Sequence, residues 1–356
     1  MSDTSPKTDS YETGAASATN TVAEFAHKTG FLKRIQYLLH QNPALVPLIV
    51  LVMSVILFAV LVGSNFFSPF ALTLILQQVA IVGITAAAQS LVILTAGIDL
   101  SVGAIMVFSS VIMGQFTFRY GLPAELSIIF GLAAGTLMGA INGVLVAVMR
   151  LPPFIVTLGT WQIFLAANYL YSKNETIRSQ DIAEQAPALQ FFGRSFNIGG
   201  AVFTYGVVLM LILVAVLAYV LKQTAWGRHV YAVGDDAEAA ELSGVQTKKV
   251  LISVYALSGL ICGLAGWVLI GRIGSVSPTS GQLANIESIT AVVIGGISLF
   301  GGRGSIVGSL FGALIVGVFS LGLRMAGTDP QWTYLLIGML IIGAVAVDQW
   351  IRKVSV

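Results

Sequence analysis

The residues best equipped to do chemistry stand in one polar run, Gly227-Arg228-His229 followed by Tyr231 to Val245, set among long apolar stretches. Asp235 can accept from the free amides of a first helical turn, Glu238 stands three residues on in capping-box position, and Gly244 can take the left-handed conformation that ends a helix. About eight helical residues fit between them, roughly 12 Å at ~1.5 Å per residue. Such an element could fill a groove on a partner but is too short to be stable alone. An ordinary capped loop helix fits the same spacing.

A second set is spread through the apolar stretches and offers only amides and hydroxyls: Gln77, Gln78, Gln89, Ser90, Thr95, Asn142, Thr157, Thr160, Gln162, Asn168 and Thr290. These suit a neutral, polyhydroxylated solute, although each also suits a plain hydrogen bond between helices. Of the sixteen acidic residues, only Asp99, Glu287 and Asp348 lie at or near the ends of apolar stretches. Carriers coupled to protons or sodium need ionisable groups at membrane depth, so the driving energy is expected from elsewhere. No Gly-Lys dipeptide occurs, which leaves out a phosphate-cradling P-loop, and His27, His40 and His229 form no metal or catalytic cluster. The single Cys262 lies in an apolar run and is read as packing. An enzyme reading has no residues to rest on, no cofactor is expected, and a net charge of +2 carries no nucleic-acid signal.

The elements that must position these groups follow from composition. Of 356 residues, 56% are hydrophobic and 10% charged, against roughly 25% charged in soluble domains, which makes the chain an integral membrane protein. Continuous rather than alternating apolar runs make it all-α. With ~20 residues needed per crossing, about ten transmembrane helices are expected, near residues 44–63, 71–97, 101–118, 126–149, 153–171, 200–221, 250–271, 286–300, 305–323 and 332–349. Residues 1–43 read as a disordered cytoplasmic tail, ending in a short interfacial helix at 31–39, and 44–356 as the permeating domain.

With the N-terminus inside, twelve Lys and Arg fall on the cytoplasmic side and six outside, so both termini are expected inside. The 222–249 segment is then cytoplasmic, and 172–199 is the largest outer surface. Two spans look interrupted: 71–97 is long and carries Gly83, and 286–300 is short and carries Gly295-Gly296. Interrupted helices at membrane depth line polar pathways. A faint repeat pairs Ile93–Gly103 with Val292–Gly302, Ile93 standing against Val292. Gly131, Gly135, Gly139 and Gly143, then Gly259 and Gly263, and Gly308 and Gly312, read as smooth stripes for helix packing.

From about residue 44 onward the chain resembles the permease subunits of bacterial ATP-binding-cassette importers for monosaccharides, the branch with the ribose, xylose, galactose and fructose permeases. The motifs are LVILTAGIDLSVGAI (Leu91 to Ile105), GAINGVLVA (Gly139 to Ala147), PPFIVTLGT (Pro152 to Thr160), GRHVYAVGDDAEAAELSG (Gly227 to Gly244) and ITAVVIGGISLFGGRGSI (Ile289 to Ile306). The polar N-terminal tail looks most like that of the fructose permeases. The resemblance implies an ATPase-coupling helix using Gly227, Arg228, Gly234, Asp235, Glu238, Ala239, Ala240, Ser243 and Gly244, while the supply of amides and hydroxyls around the irregular spans makes Gln89, Thr95, Asn142, Thr157 and Thr290 the expected lining of a neutral-solute pathway. It also implies three partners in the inner membrane system: a cytoplasmic ATPase, a periplasmic sugar-binding protein and a second permease chain, most simply another copy. An ion-coupled sugar carrier or passive facilitator is the alternative, and transport by the chain alone would favour it.

Overall fold

The protein is described by a computed structural model whose described residues are 44–281 and 283–352. The tail and interfacial helix expected within 1–43 lie outside them. Helix α1 (Leu45–Val62) runs into a 3-10 turn (Gly63–Phe67) and is followed by α2 (Pro69–Leu94), α3 (Val102–Tyr120), α4 (Ala124–Ala147) and α5 (Pro153–Ser172). The 172–204 segment builds a cap of its own: α6 (Ser179–Gln185), a 3-10 helix (Pro187–Gly193) and an antiparallel hairpin of β1 (Ser195–Ile198) and β2 (Ala201–Thr204), the one sheet among the described residues. Then come α7 (Tyr205–Gln223), α8 (Ala225–Asp235), α9 (Ala237–Leu242), α10 (Thr247–Ile273), α11 (Ala284–Ile294), α12 (Ile306–Met325) and α13 (Pro330–Arg352).

Seven of these, α1 with its 3-10 turn, α2, α3, α4, α7, α10 and α12, are long and apolar enough to cross a membrane. The other three expected spans fall on α5, α11 and α13. Helix α5 has the length but carries Thr157, Thr160, Gln162 and Asn168, and α11, at eleven residues, is about 16 Å long, half of the ~30 Å hydrocarbon layer.

Small side chains decide which helix lies at the centre. Helix α2 holds Ala80, Gly83, Ala86, Ala87, Ala88 and Ser90 and is buried without a break from Val79 to Leu94. Helix α1 is more apolar still, but it is built mainly of Leu, Ile and Val and leaves Ile49, Val52, Met53, Ile56 and Val60 exposed. In lipid, hydrophobicity does not drive helices together; close fit does. Gly83 therefore does not interrupt α2, against the expectation for residues 71–97: it is a notch into which the Met210 thioether of α7 fits.

The glycine stripes pack as expected. A Cβ on Gly135 would lie 2.6 Å from the carbonyl oxygen of Gly259, and one on Gly143 2.9 Å from Cα of Ile252, so α4 and α10 meet backbone to backbone. Gly131 departs from the stripe and faces Met113 of α3. Gly308 and Gly312 bring α12 against Gly295 and Ala291 at the end of α11, and the Ser90 and Ser309 hydroxyls close the α2–α12 seam at 2.8 Å.

The weak sequence repeat is real in backbone geometry but shifted by one residue. Helix α2 ends with Ala96 N donating to Ile93 O (2.9 Å) and Gly97 N to Val92 O (3.1 Å), with Ala96 at φ +60°. Helix α11 ends with Gly296 N donating to Val293 O (3.0 Å) and Ile297 N to Val292 O (3.2 Å), with Gly296 at φ +78°. Both are Schellman closures. Val292 thus corresponds to Val92, not to Ile93, because the turn superimposes left-handed residues (Ala96 and Gly296) and not the glycines that the letters align.

Candidate functional site

Helix α8 is an amphipathic bracket. Thr224 leaves helical geometry after α7, and its hydroxyl accepts from Gly227 N at 3.1 Å to start the new helix. Gly227, Val230, Val233 and Gly234 form the buried stripe, while Arg228 is exposed. Trp226 Nε1 donates to Ser253 Oγ of α10 at 2.8 Å, and Tyr231 donates its hydroxyl to Gly304 O at 3.0 Å. Burial pushes the Tyr231 phenol above its ordinary value, which keeps it protonated as that donor.

At the end of the stripe, Gly234 is seated on the first Schellman turn and on the loop that follows the second. Its missing side chain is occupied by the Leu94 carbonyl oxygen at the end of α2, with Gly302 N 2.7 Å from where a Cβ would stand. Those two groups bond to each other, Gly302 N donating to Leu94 O at 3.0 Å. Gly301 closes the third side, its Cβ position lying 2.5 Å from Gly234 O and 2.7 Å from Ala96 N. Three backbones, from α8, the α2–α3 turn and the α11–α12 turn, are thus packed with no side chain between them.

Past this junction the expected helix differs in its start. Asp235 is the last residue of α8, and Asp236 is the cap: its carboxylate accepts from Glu238 N and Ala239 N, both at 2.9 Å, and starts the six-residue α9. Glu238 therefore falls one place short of capping-box position. The cause is tertiary, because the Cβ position of Gly302 lies 2.8 Å from Asp235 Cα, and this packing holds Asp235 in helical geometry. Gly244 is left-handed as expected, at φ +88°, with Gly244 N donating to Glu241 O and Val245 N to Ala240 O. Helix α9 stands clear of the chain: only Ala240 is buried, Glu238, Ala239 and Ser243 are exposed, and Leu242 is 86% exposed.

Four of the dispersed amides and hydroxyls meet at the α2–α3 turn, while Asn168 donates instead to Pro278 O at 2.9 Å and Gln77 and Gln78 line a separate cavity. Gln89, oriented to suit its partners, donates to Asp99 O at 3.0 Å and accepts from Asp99 N at 3.2 Å. One Asp99 carboxylate oxygen accepts from Ser101 N (2.7 Å) and Ser101 Oγ (2.6 Å), and Asn142 Nδ2 donates to that hydroxyl at 2.8 Å. Thr157 donates to Ile98 O at 2.9 Å, and Thr95 returns its proton to Val92 O at 2.8 Å. Asp99 is thereby held, buried, at the start of α3. The structure brings Gln89, Thr95, Asn142 and Thr157 together around one turn and places Thr290 elsewhere, on a cavity of about 380 Å³ at the hairpin end of the bundle.

The family described as branched-chain amino acid transport system / permease component matches residues 71–345, which takes in every element of this site. The chain belongs to that permease family. It is 72% identical over 346 residues, 97% of this chain and 96% of the relative, to the fructose import permease protein FrcC of Rhizobium meliloti. It is 37% identical to the ribose import permease protein RbsC of Bacillus subtilis, over 85% of this chain and 92% of the relative, and 32% identical to the galactose/methyl galactoside import permease protein MglC of Escherichia coli, over 83% and 92%. No solved structure matches the chain.

Sequence reasoning missed several contributors to the permease site. Leu94, Ala96, Gly301 and Gly302 act through backbone atoms, which no side-chain inventory finds, although the last two stand in the GISLFGGRG run already singled out. Tyr231 and Gly304 pair across 73 positions. Asp236 stood beside the residue chosen in its place.

Proposed function

We propose that this permease is the membrane subunit of an ATP-binding-cassette importer for a monosaccharide, fructose first among pentoses and hexoses, and that ATP is hydrolysed by a separate cytoplasmic subunit. The observation that carries it is α9, a capped helix with an 86% exposed Leu242, continuous with a bracket seated on two turns of the interior. A helix of six residues that buries only Ala240 against its own chain needs a groove supplied by a partner. The 72% identity to a fructose import permease supports the sugar and the partner set: the ATPase, a periplasmic sugar-binding protein and a second permease copy.

In this reading Gly227, Arg228, Gly234, Asp235, Glu238, Ala239, Ala240, Ser243 and Gly244 belong to the coupling segment. Closure of the ATPase displaces α9, α8 follows as one body, and Gly234 moves the ends of α2 and α11 together. The turn bound by Gln89, Thr95, Asn142 and Thr157, and the cavity wall at Thr290, then belong to the parts that change between the two access states. The chain spans the inner membrane ten times with both termini inside, counting α5, α11 and α13 as crossings. In the described part the helix ends and loops on the side assigned to the cytoplasm hold Arg150, Lys222, Arg228, Lys248, Lys249 and Arg303.

Reconstitution in vesicles with ATPase and binding protein tests the reading. D-fructose uptake should require ATP and all partners, and uptake by this chain alone would sink it. Single cysteines at Arg178 and Lys248 in a Cys262→Ala background test the orientation, only the first reacting with an impermeant thiol reagent added outside.

A further inference from the structure

The cavity that Thr290 borders lies between α2, α10, α11, α12 and α13, at the end of the bundle away from α8. Its volume of about 380 Å³ falls within the ~300–1,000 Å³ of small-molecule sites. Three charged side chains reach it from three helices: Arg272 from the last turn of α10, Glu287 from the first turn of α11 and Arg324 from the last turn of α12. Charges near helix ends often simply face water. Arg272 is exposed too, but its guanidinium is held, donating to Gln78 Oε1 at 2.6 Å, and Gln78 stands more than two turns into α2.

The chemistry of the lining selects its occupant. A guanidinium is a fork of donors with no acceptor, and a carboxylate accepts only. A hydroxyl both donates and accepts, so neighbouring hydroxyls on one molecule satisfy both groups at once. An anion would meet Glu287, and a cation would meet two arginines. A neutral molecule without hydroxyls would offer the guanidinium no acceptor and the carboxylate no donor.

We propose that this cavity holds a neutral, hydroxyl-rich solute between Arg272 as donor and Glu287 as acceptor, with Gln78 fixing the guanidinium. The assignment rests on reading the chain as a sugar permease and names the place where the sugar is first held. It differs from the turn around Asp99, where Gln89, Thr95 and Thr157 are spent on backbone partners and Asn142 donates to Ser101 Oγ.

Ser320 lines the same cavity, and the chain's one native thiol, Cys262, is fully buried. The test uses the full chain carrying Ser320→Cys, purified in lipid nanodiscs, and the rate of its reaction with a charged maleimide. D-fructose at millimolar concentration should slow labelling several-fold, while glycine betaine and inorganic sulfate should not. Adding Glu287→Gln or Arg272→Gln should raise the fructose concentration needed by about tenfold or more, the weight of a charge-assisted hydrogen bond. Protection by sulfate but not fructose, no protection, no labelling at all, or protection unchanged in both variants overturns the assignment. The wild-type uptake assay separates the two readings: a chain that imports fructose without protection is a permease whose solute is held elsewhere.

Discussion

Replacing Gly234 by alanine should uncouple ATP hydrolysis from transport. The added methyl would overlap the Leu94 carbonyl oxygen and stand 2.7 Å from Gly302 N. Both are backbone atoms bonded to each other at 3.0 Å, so neither can rotate aside as a flexible side chain would. Overpacking costs about 1–3 kcal/mol, and loss of the hydrogen bond costs about 0.5–1.5 kcal/mol. The gain in helix propensity returns at most ~1 kcal/mol, less near a helix end. The net is about 2 kcal/mol against the seated junction, roughly thirtyfold in its population at ~1.4 kcal/mol per factor of ten. The matched control is Gly159→Ala on α5, where an added Cβ has nothing within 4 Å. In reconstituted vesicles, Gly234→Ala should keep membrane abundance and ATPase association but lose most uptake per ATP hydrolysed. Uptake equal to that of Gly159→Ala would refute the reasoning, because it would mean that the junction need not be seated for coupling.

Three further outcomes follow from the same geometry. Asp236→Ala should weaken α9 by about 1 kcal/mol and lower co-purification of the ATPase, whereas Asp235→Ala, which removes no cap, should have the smaller effect. At Gly244 an added Cβ meets nothing within 4 Å, so Gly244→Val acts through the left-handed backbone, at about 1–2 kcal/mol; abundance should hold while coupled hydrolysis falls. Asp99→Ala strands the Ser101 amide and hydroxyl in the interior at about 1–3 kcal/mol, and a thermal melt of the purified chain should shift downward, with Asp99→Asn intermediate because its oxygen can still accept.

What could be read beforehand divides along a physical line. The class, the helical spans and the glycine seams were legible because they rest on composition and on spacing at every fourth residue, properties local to one helix. Gly244 was legible for the same reason, since a left-handed stop leaves a glycine in the letters. Asp235 was chosen over Asp236 because both cap well and nothing local separates them; the choice is made by Gly302, 67 residues away. Gly83 looked like a break because a glycine in a helix signals either a hinge or a notch, and only the position of Met210 on another helix tells them apart. The three charges of the hairpin-end cavity looked like ordinary interfacial residues, since nothing in the letters brings the ends of α10, α11 and α12 together.

The one-residue shift in the internal repeat bears on how the junction works. If letters governed, Gly97 and Gly296 would be equivalent and both turns would bend at glycine. The structure instead places Ala96, at φ +60°, where the second turn has Gly296. A left-handed alanine costs about 1–2 kcal/mol relative to a right-handed one, and such strain persists only where surrounding contacts hold it. The contacts are on hand: Gly301 packs against the Ala96 amide and methyl, and Gly302 bonds to Leu94. The first turn is therefore kept in shape by the loop after the second, and Gly234 covers that first turn and that loop. Lifting α8 would remove the cover from the strained turn directly and from the relaxed one only through its loop, and the strained turn carries Asp99 and the start of α3. The two turns should respond unequally, the α2–α3 turn opening first, and Ala96→Gly, which relieves the left-handed strain and removes only the Ala96 methyl from the junction, should make that turn open less readily.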